Sequence, residues 1–148
     1  MKKLNRHIDK FILILSLVFS GASAQLDPAT ALTKRAAADP GEKLFVHLSQ
    51  HTLITGELLW FSVFVTDAQK HKPSVLSSVV YAELLGPGNK PVIKDKIMVQ
   101  NGSGFGSFYL PASLQTGVYN FRAYTSWMKN AGPDFFFHQE ITIVNTLR

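Results

Sequence analysis

The stretch Glu57-Leu58-Leu59-Trp60-Phe61-Ser62-Val63-Phe64-Val65-Thr66 decides the fold class. Leu59, Phe61, Val63 and Val65 fall on one side of an extended chain, and Trp60, Ser62 and Phe64 fall on the other. A period of two with β-branched and aromatic residues marks a strand whose one face packs on a core. The same pattern repeats outward in both directions. Upstream, 44–48 is a first strand. Downstream, 78–85 is a third, with Val80, Ala82 and Leu84 inward and Tyr81 and Glu83 outward. Gly86-Pro87-Gly88-Asn89 then reads as a turn between antiparallel neighbours. The fourth strand, 91–99, is interrupted by Lys94, Asp95 and Lys96, which places it near an edge. After the turn Asn101-Gly102-Ser103-Gly104 come strands over 105–110, 118–125 and 135–144, with 126–134 as the loop before the last. Short strands at regular spacing predict an all-β fold, a seven-stranded antiparallel immunoglobulin-like sandwich.

The strand 118–125 carries its own expectation. Tyr119, Phe121 and Ala123 share the core face, and Val118, Asn120, Arg122 and Tyr124 share the other. A buried Tyr119 needs a hydrogen-bond partner, which a backbone carbonyl of the preceding loop can supply.

The first 24 residues have a different grammar. Lys2, Lys3, Arg6 and Lys10 precede the apolar run 11–19, and Ala22-Ser23-Ala24 follows. That order predicts a secretory signal peptide cut between Ala24 and Gln25. At about 1.5 Å per helical residue the run covers roughly half of a ~30 Å hydrocarbon core, too little for a stable span. Between leader and sandwich, 25–41 is a linker or short helix: Asp27-Pro28 suits a helix start and Asp39-Pro40-Gly41 a stop. The sandwich domain is expected over 42–148.

The leader also dominates the charge. The chain has 15 Lys+Arg against 10 Asp+Glu, and removing four cations and Asp9 leaves 11 against 9. A net charge that small makes no case for nucleic acid, whose binders carry a clustered basic face. With no cysteine, an exported domain must rely on burial alone for its cohesion.

Catalytic and metal chemistry find little support. His47 and His51 are four apart, but in a strand and the following turn that spacing does not converge two imidazoles. Gly102-Ser103-Gly104-Phe105-Gly106 resembles a phosphate cradle but leads into a strand, not a helix. Ser103 lacks the strand-turn-helix setting of a hydrolase nucleophile. Glu57, Asp67, Glu83, Asp95, Asp134 and Glu140 are scattered along the chain. The reading is therefore no enzyme, no metal and no cofactor. Arg122 is expected to make a charge-assisted bond, to Glu57 or a loop carbonyl, anchoring one end of the sandwich.

Taken together, Glu42-Lys43-Leu44-Phe45-Val46-His47, Thr55-Gly56-Glu57-Leu58-Leu59-Trp60-Phe61, Val80-Tyr81-Ala82-Glu83-Leu84, Leu114-Gln115-Thr116-Gly117-Val118-Tyr119 and the run from Arg122 to Asn130 resemble a macroglobulin-type domain. They are most similar to the second macroglobulin domain of alpha-2-macroglobulin-like exported proteins of Bacteroidetes, over about 42–144. The resemblance implies a sandwich that serves as a building block of a longer chain, often one carrying a plug-like module resembling that of TonB-dependent receptors. On that expectation the chain is a fragment, a truncated reading frame or a stand-alone copy. Covalent protease trapping in that family uses a thioester of Cys and Gln, and this chain has no cysteine for it. The expected location is the periplasm, or association with the outer membrane or the cell exterior.

Two functions fit the aromatics that alternation or loop position turns away from the core. Trp60, Phe64, Tyr81, Tyr124 and Trp127, with Arg122, are the candidate interface for a neighbouring domain or an envelope protein. The alternative is a carbohydrate-binding module, with Asn120, Lys129 and Asn130 as the polar groups beside the rings.

Overall fold

A computed structural model of the chain describes residues 41–147. The expected signal peptide over 1–24, and all of the 25–41 segment except Gly41, lie outside the described residues.

Two sheets face each other. The first has three strands in the order β1 (Glu42–Leu48), β3 (Leu58–Asp67), β6 (Ser103–Tyr109), all antiparallel. The second has five: β2 (Thr52–Ile54), β8 (Phe137–Val144), β7 (Gly117–Thr125), β4 (Val79–Leu85), β5 (Pro91–Met98). The all-β sandwich follows from the alternation. One expectation needs correcting, because an eighth strand, β2, is present and pairs parallel to the end of β8. Three residues are too few for alternation to be seen in the sequence. Only Leu53 of the three is buried, and the flanking His51 carbonyl and Thr55 N–H continue the pairing with Thr142 and Val144. The 126–134 loop is likewise corrected, since Ser126–Ala131 forms a helix, α1. The Thr125 hydroxyl caps it by accepting from Met128 N–H, Met128 is buried, and Gly132 closes it. A helix of under two turns shows no 3.6-residue period.

The core is the inward set of both sheets. Leu59, Phe61, Val63 and Val65 of β3 meet Val80, Ala82 and Leu84 of β4 and Tyr119, Phe121 and Ala123 of β7. Phe61, Phe108 and Phe121 touch one another, with ring centroids 5.0–5.5 Å apart. β5 is an edge strand, as its Lys-Asp-Lys run predicted. Asn101 and Gly102, both at positive φ, make the two-residue turn that passes the chain from the second sheet to the first. A side chain at Gly102 would lie 2.6 Å from the Val65 carbonyl, so this corner requires glycine.

Each end of the sandwich is closed by buried polar groups. At one end Tyr119 Oη donates to the Gln115 carbonyl at 2.8 Å, the partner expected for it. Beside it, Asn145 Nδ2 donates to the Ala112 and Leu114 carbonyls, pinning the connection before β7. At the other end the buried Glu42 carboxylate accepts from Ser74 Oγ (2.6 Å), Ser77 Oγ (2.6 Å), Ser77 N–H (3.2 Å) and Thr125 Oγ1 (2.7 Å). Glu42 thus ties β1 of the first sheet to β7 of the second and to the 74–77 loop. Through Thr125 it also reaches the cap of α1.

Candidate interaction surfaces

Because alternation sends Leu59, Phe61, Val63 and Val65 inward, the other residues of β3 form the outer face of the three-stranded sheet. Leu58, Trp60, Ser62 and Phe64 lie beside Tyr109, Ser107, Phe105 and Ser103 of β6, and Phe64 also lies beside Phe45 of β1. Six large apolar side chains are exposed here: Phe45, Leu58, Trp60 (55 %), Phe64, Phe105 (82 %) and Tyr109. The Phe45 and Phe64 rings stack at 6.5 Å. Beside Phe64 a groove of about 770 Å³ is lined by Ser62, Phe64, Phe105, Met98, Ser103, Gln100 and Asn101. Single exposed apolar residues are ordinary, but a continuous set on one sheet face marks a contact surface.

The outer face of the five-stranded sheet is built differently. The register sets Glu83 of β4 beside Arg122 of β7 and Lys94 of β5. Arg122 donates to Glu83 Oε2 through Nε (3.0 Å) and Nη2, Tyr124 Oη donates to Oε1 at 3.2 Å, and Lys94 Nζ lies 3.9 Å away. One row along, Lys96, Tyr81 and Tyr124 are neighbours. Tyr81, Tyr124 and Phe136 stack in series, at 5.4 and 4.4 Å. Lys129 of α1 sits 4.5 Å from the Tyr81 ring and 5.1 Å from that of Tyr124, and Lys96 sits 5.7 Å from Tyr81.

The six candidate interface residues therefore do not form one patch. Trp60 and Phe64 belong to the apolar face, and Tyr81, Arg122 and Tyr124 belong to the opposite one. Tyr124 is only 8 % exposed, so it supports that face from beneath. Trp127 is 40 % exposed on α1, and its ring makes no aromatic contact among the described residues. The expected Glu57–Arg122 pair is corrected, since Arg122 binds Glu83. Glu57 precedes β3 in the other sheet, and its Oε2 accepts from Ile54 N–H at 2.7 Å, closing the β2–β3 turn. Cross-strand register brings two residues 39 positions apart into contact, and no local pattern announces it. Sequence reasoning missed Phe45, Phe105 and Tyr109 as members of the apolar face, although the alternation that exposed Trp60 applies to them equally. Of the polar groups expected beside a sugar, Asn120 Nδ2 lies 3.3 Å from His138 Nδ1, and Lys129 covers the tyrosine rings instead of leaving them open.

The two stacked tyrosines are driven apart in acidity. A hydrogen bond from Ser126 holds the Tyr81 phenol below its ordinary range, with Lys96 and Lys129 adding to it. Burial, then the Glu83 charge and its hydrogen bond, push Tyr124 up. In a titration followed by ¹³Cζ-tyrosine NMR, Tyr81 is expected to ionise before Tyr124, and the reverse order would contradict the geometry. The raised group contributes stability that is complete below the unfolded value of about 10 and is lost as pH climbs through the folded value. Tyr124→Phe should therefore flatten the alkaline fall in stability.

Among the described residues no group of three His, Asp or Glu side chains is placed to hold a metal ion, and no helix is long and apolar enough to cross a membrane. No protein-family model and no curated protein sequence matches the chain. Solved structures do match. Trypsin-activated alpha-2-macroglobulin from Escherichia coli superposes with a TM-score of 0.56 at 15% identity, over 70% of this chain. Methylamine-reacted Salmonella alpha-2-macroglobulin gives 0.56 at 16% identity over 74%. The fold is that of a macroglobulin-type domain. The chain spans about 7% of the length of each of those two proteins, so the likeness concerns one macroglobulin-type domain within them. At such identity it establishes architecture, and what the macroglobulin-type sandwich does here rests on its own surfaces.

Proposed function

We propose that this macroglobulin-type sandwich is a non-catalytic interaction module of an exported cell-envelope protein, and that its three-stranded sheet docks against a neighbouring β domain. The observation that carries the reading is the continuous apolar face of Phe45, Leu58, Trp60, Phe64, Phe105 and Tyr109. Interfaces draw most of their energy from a few buried aromatic residues, and a sheet face of this kind suits packing on another sheet about 10 Å away. A basic n-region, apolar run and Ala-Ser-Ala triplet support export. The open rings lie on one sheet face with further large apolar side chains, among serines, an arrangement that favours a protein partner over a sugar.

The absence of cysteine makes a direct test clean. Phe105→Cys reports on the proposed interface, and Val75→Cys, at a site 83 % exposed, serves as control. In the purified chain both thiols should react with a maleimide at similar rates. In cells producing the protein from its own locus, Phe105→Cys should be protected about tenfold relative to the control, as expected for a desolvated interface core. Equal labelling in cells would refute docking through this face.

A further inference from the structure

The opposite face carries a second, chemically different surface. On the outer side of the five-stranded sheet Lys94 and Arg122 flank the Glu83 carboxylate, and Lys96 and Lys129 lie one row along, against Tyr81 and Tyr124. Two nearby carboxylates do not cancel this excess. Asp95 alternates with Lys94 and Lys96 along β5, borders the same pocket and accepts from the Lys96 N–H, and Glu140 lies one row away, opposite Asn120, so four cations still outnumber three carboxylates. Lysines on an edge strand ordinarily just prevent pairing with other chains. Here they are also positioned: Lys129 and Lys96 rest over tyrosine faces, and Lys94 beside Glu83. A ring face holds an ammonium without using its N–H donors in ordinary hydrogen bonds, so donors remain for an anionic partner. Ordering the lysines beforehand lowers the entropy lost on binding.

We propose that this surface docks an extended acidic segment of a partner protein. Lys94 and Lys96 are two residues apart on one face of β5, a separation of about 6.6 Å. Carboxylates on alternate residues of an extended chain have the same spacing, whereas the charges of a fluid lipid surface have no fixed register. Arg122 is hydrogen-bonded to Glu83, whereas Lys94, 3.9 Å from that carboxylate and 62 % exposed, keeps N–H donors for a partner, as do Lys96 and Lys129. The inference rests on residues other than those of the apolar face and can fail independently of it.

The test measures fluorescence anisotropy of a labelled peptide of alternating Glu and Thr with the full chain, at low and at physiological salt. Binding is expected to weaken as salt rises, and to weaken about tenfold in Lys96→Glu/Lys129→Glu, as for charge-steered association. Lys96→Gln/Lys129→Gln should lie between, and matching melting curves would show that both variants fold. Lys70→Glu/Lys72→Glu, with the same charge change in the loop after β3, should bind as the parent does. A peptide of the same composition with its glutamates in one block should bind several-fold more weakly. The proposal is overturned if the parent does not bind, if the two glutamate variants lose binding equally, or if the two peptides bind alike. It is also overturned if vesicles of anionic phospholipid are bound in place of the peptide.

Discussion

Glu42→Ala is expected to lower the melting temperature of the domain by about 15 °C, for a loss of about 3 kcal/mol. Four donors converge on this buried carboxylate, and truncation leaves two serine hydroxyls, a threonine hydroxyl and the Ser77 N–H without their acceptor. Hydrogen bonds to a charged group contribute more than neutral ones, and breaking one side of a buried set costs the desolvation of what remains. The damage should spread further than one contact, because Thr125 also caps α1. Glu42→Gln keeps one acceptor oxygen and the volume, and should lose about half as much. Hydrogen exchange would locate the change, with amides of the 74–77 loop and α1 losing protection before those of β4 and β7. A melting temperature for Glu42→Ala within a few degrees of the parent would show that Glu42 does not fasten the two sheets.

Phe121→Ala is the second large effect, an expected loss of about 3–5 kcal/mol. The Phe121 ring is fully buried, in contact with Phe61 and Phe108 and 6.5 Å from Phe137, so its removal opens a cavity at the centre of the sandwich. A domain of this size has a total stability of about 5–15 kcal/mol, so the variant should be close to its folding threshold. Phe105→Ala is the matched comparison: the same chemical change on the outward side of β6 should move stability by no more than about 0.5 kcal/mol. Urea unfolding reads both, as a lower midpoint with unchanged slope for Phe121→Ala. A loss under about 1 kcal/mol at Phe121 would mean that the aromatic cluster is not what holds the sheets together.

The Phe121 and Phe105 pair shows how much the sequence already contained. Alternation along 57–66, 78–85 and 118–125 assigned each side chain to a face, because in a strand direction follows parity and needs no knowledge of neighbours. On that ground the sandwich, its core, the edge position of β5 and the Tyr119 anchor were legible. So was the exposure of Trp60 and Phe64. Short elements were not, since β2 and α1 are too brief to complete a period and are held by pairing with β8 and by the Thr125 cap.

Contacts between distant strands lay further out of reach. Glu42 reads as an ordinary strand residue until β7 and the 74–77 loop close over it, and Arg122 has no local reason to choose Glu83 over Glu57. Nor could parity say which outward residues gather: it turned Trp60 and Tyr81 out alike, and sheet order then put them on opposite sides of the molecule. The chain alone determined which way its side chains point, because that is a local property of the extended backbone. Only the tertiary structure decided which of them meet, because strand order and register are set by the packing of the whole core.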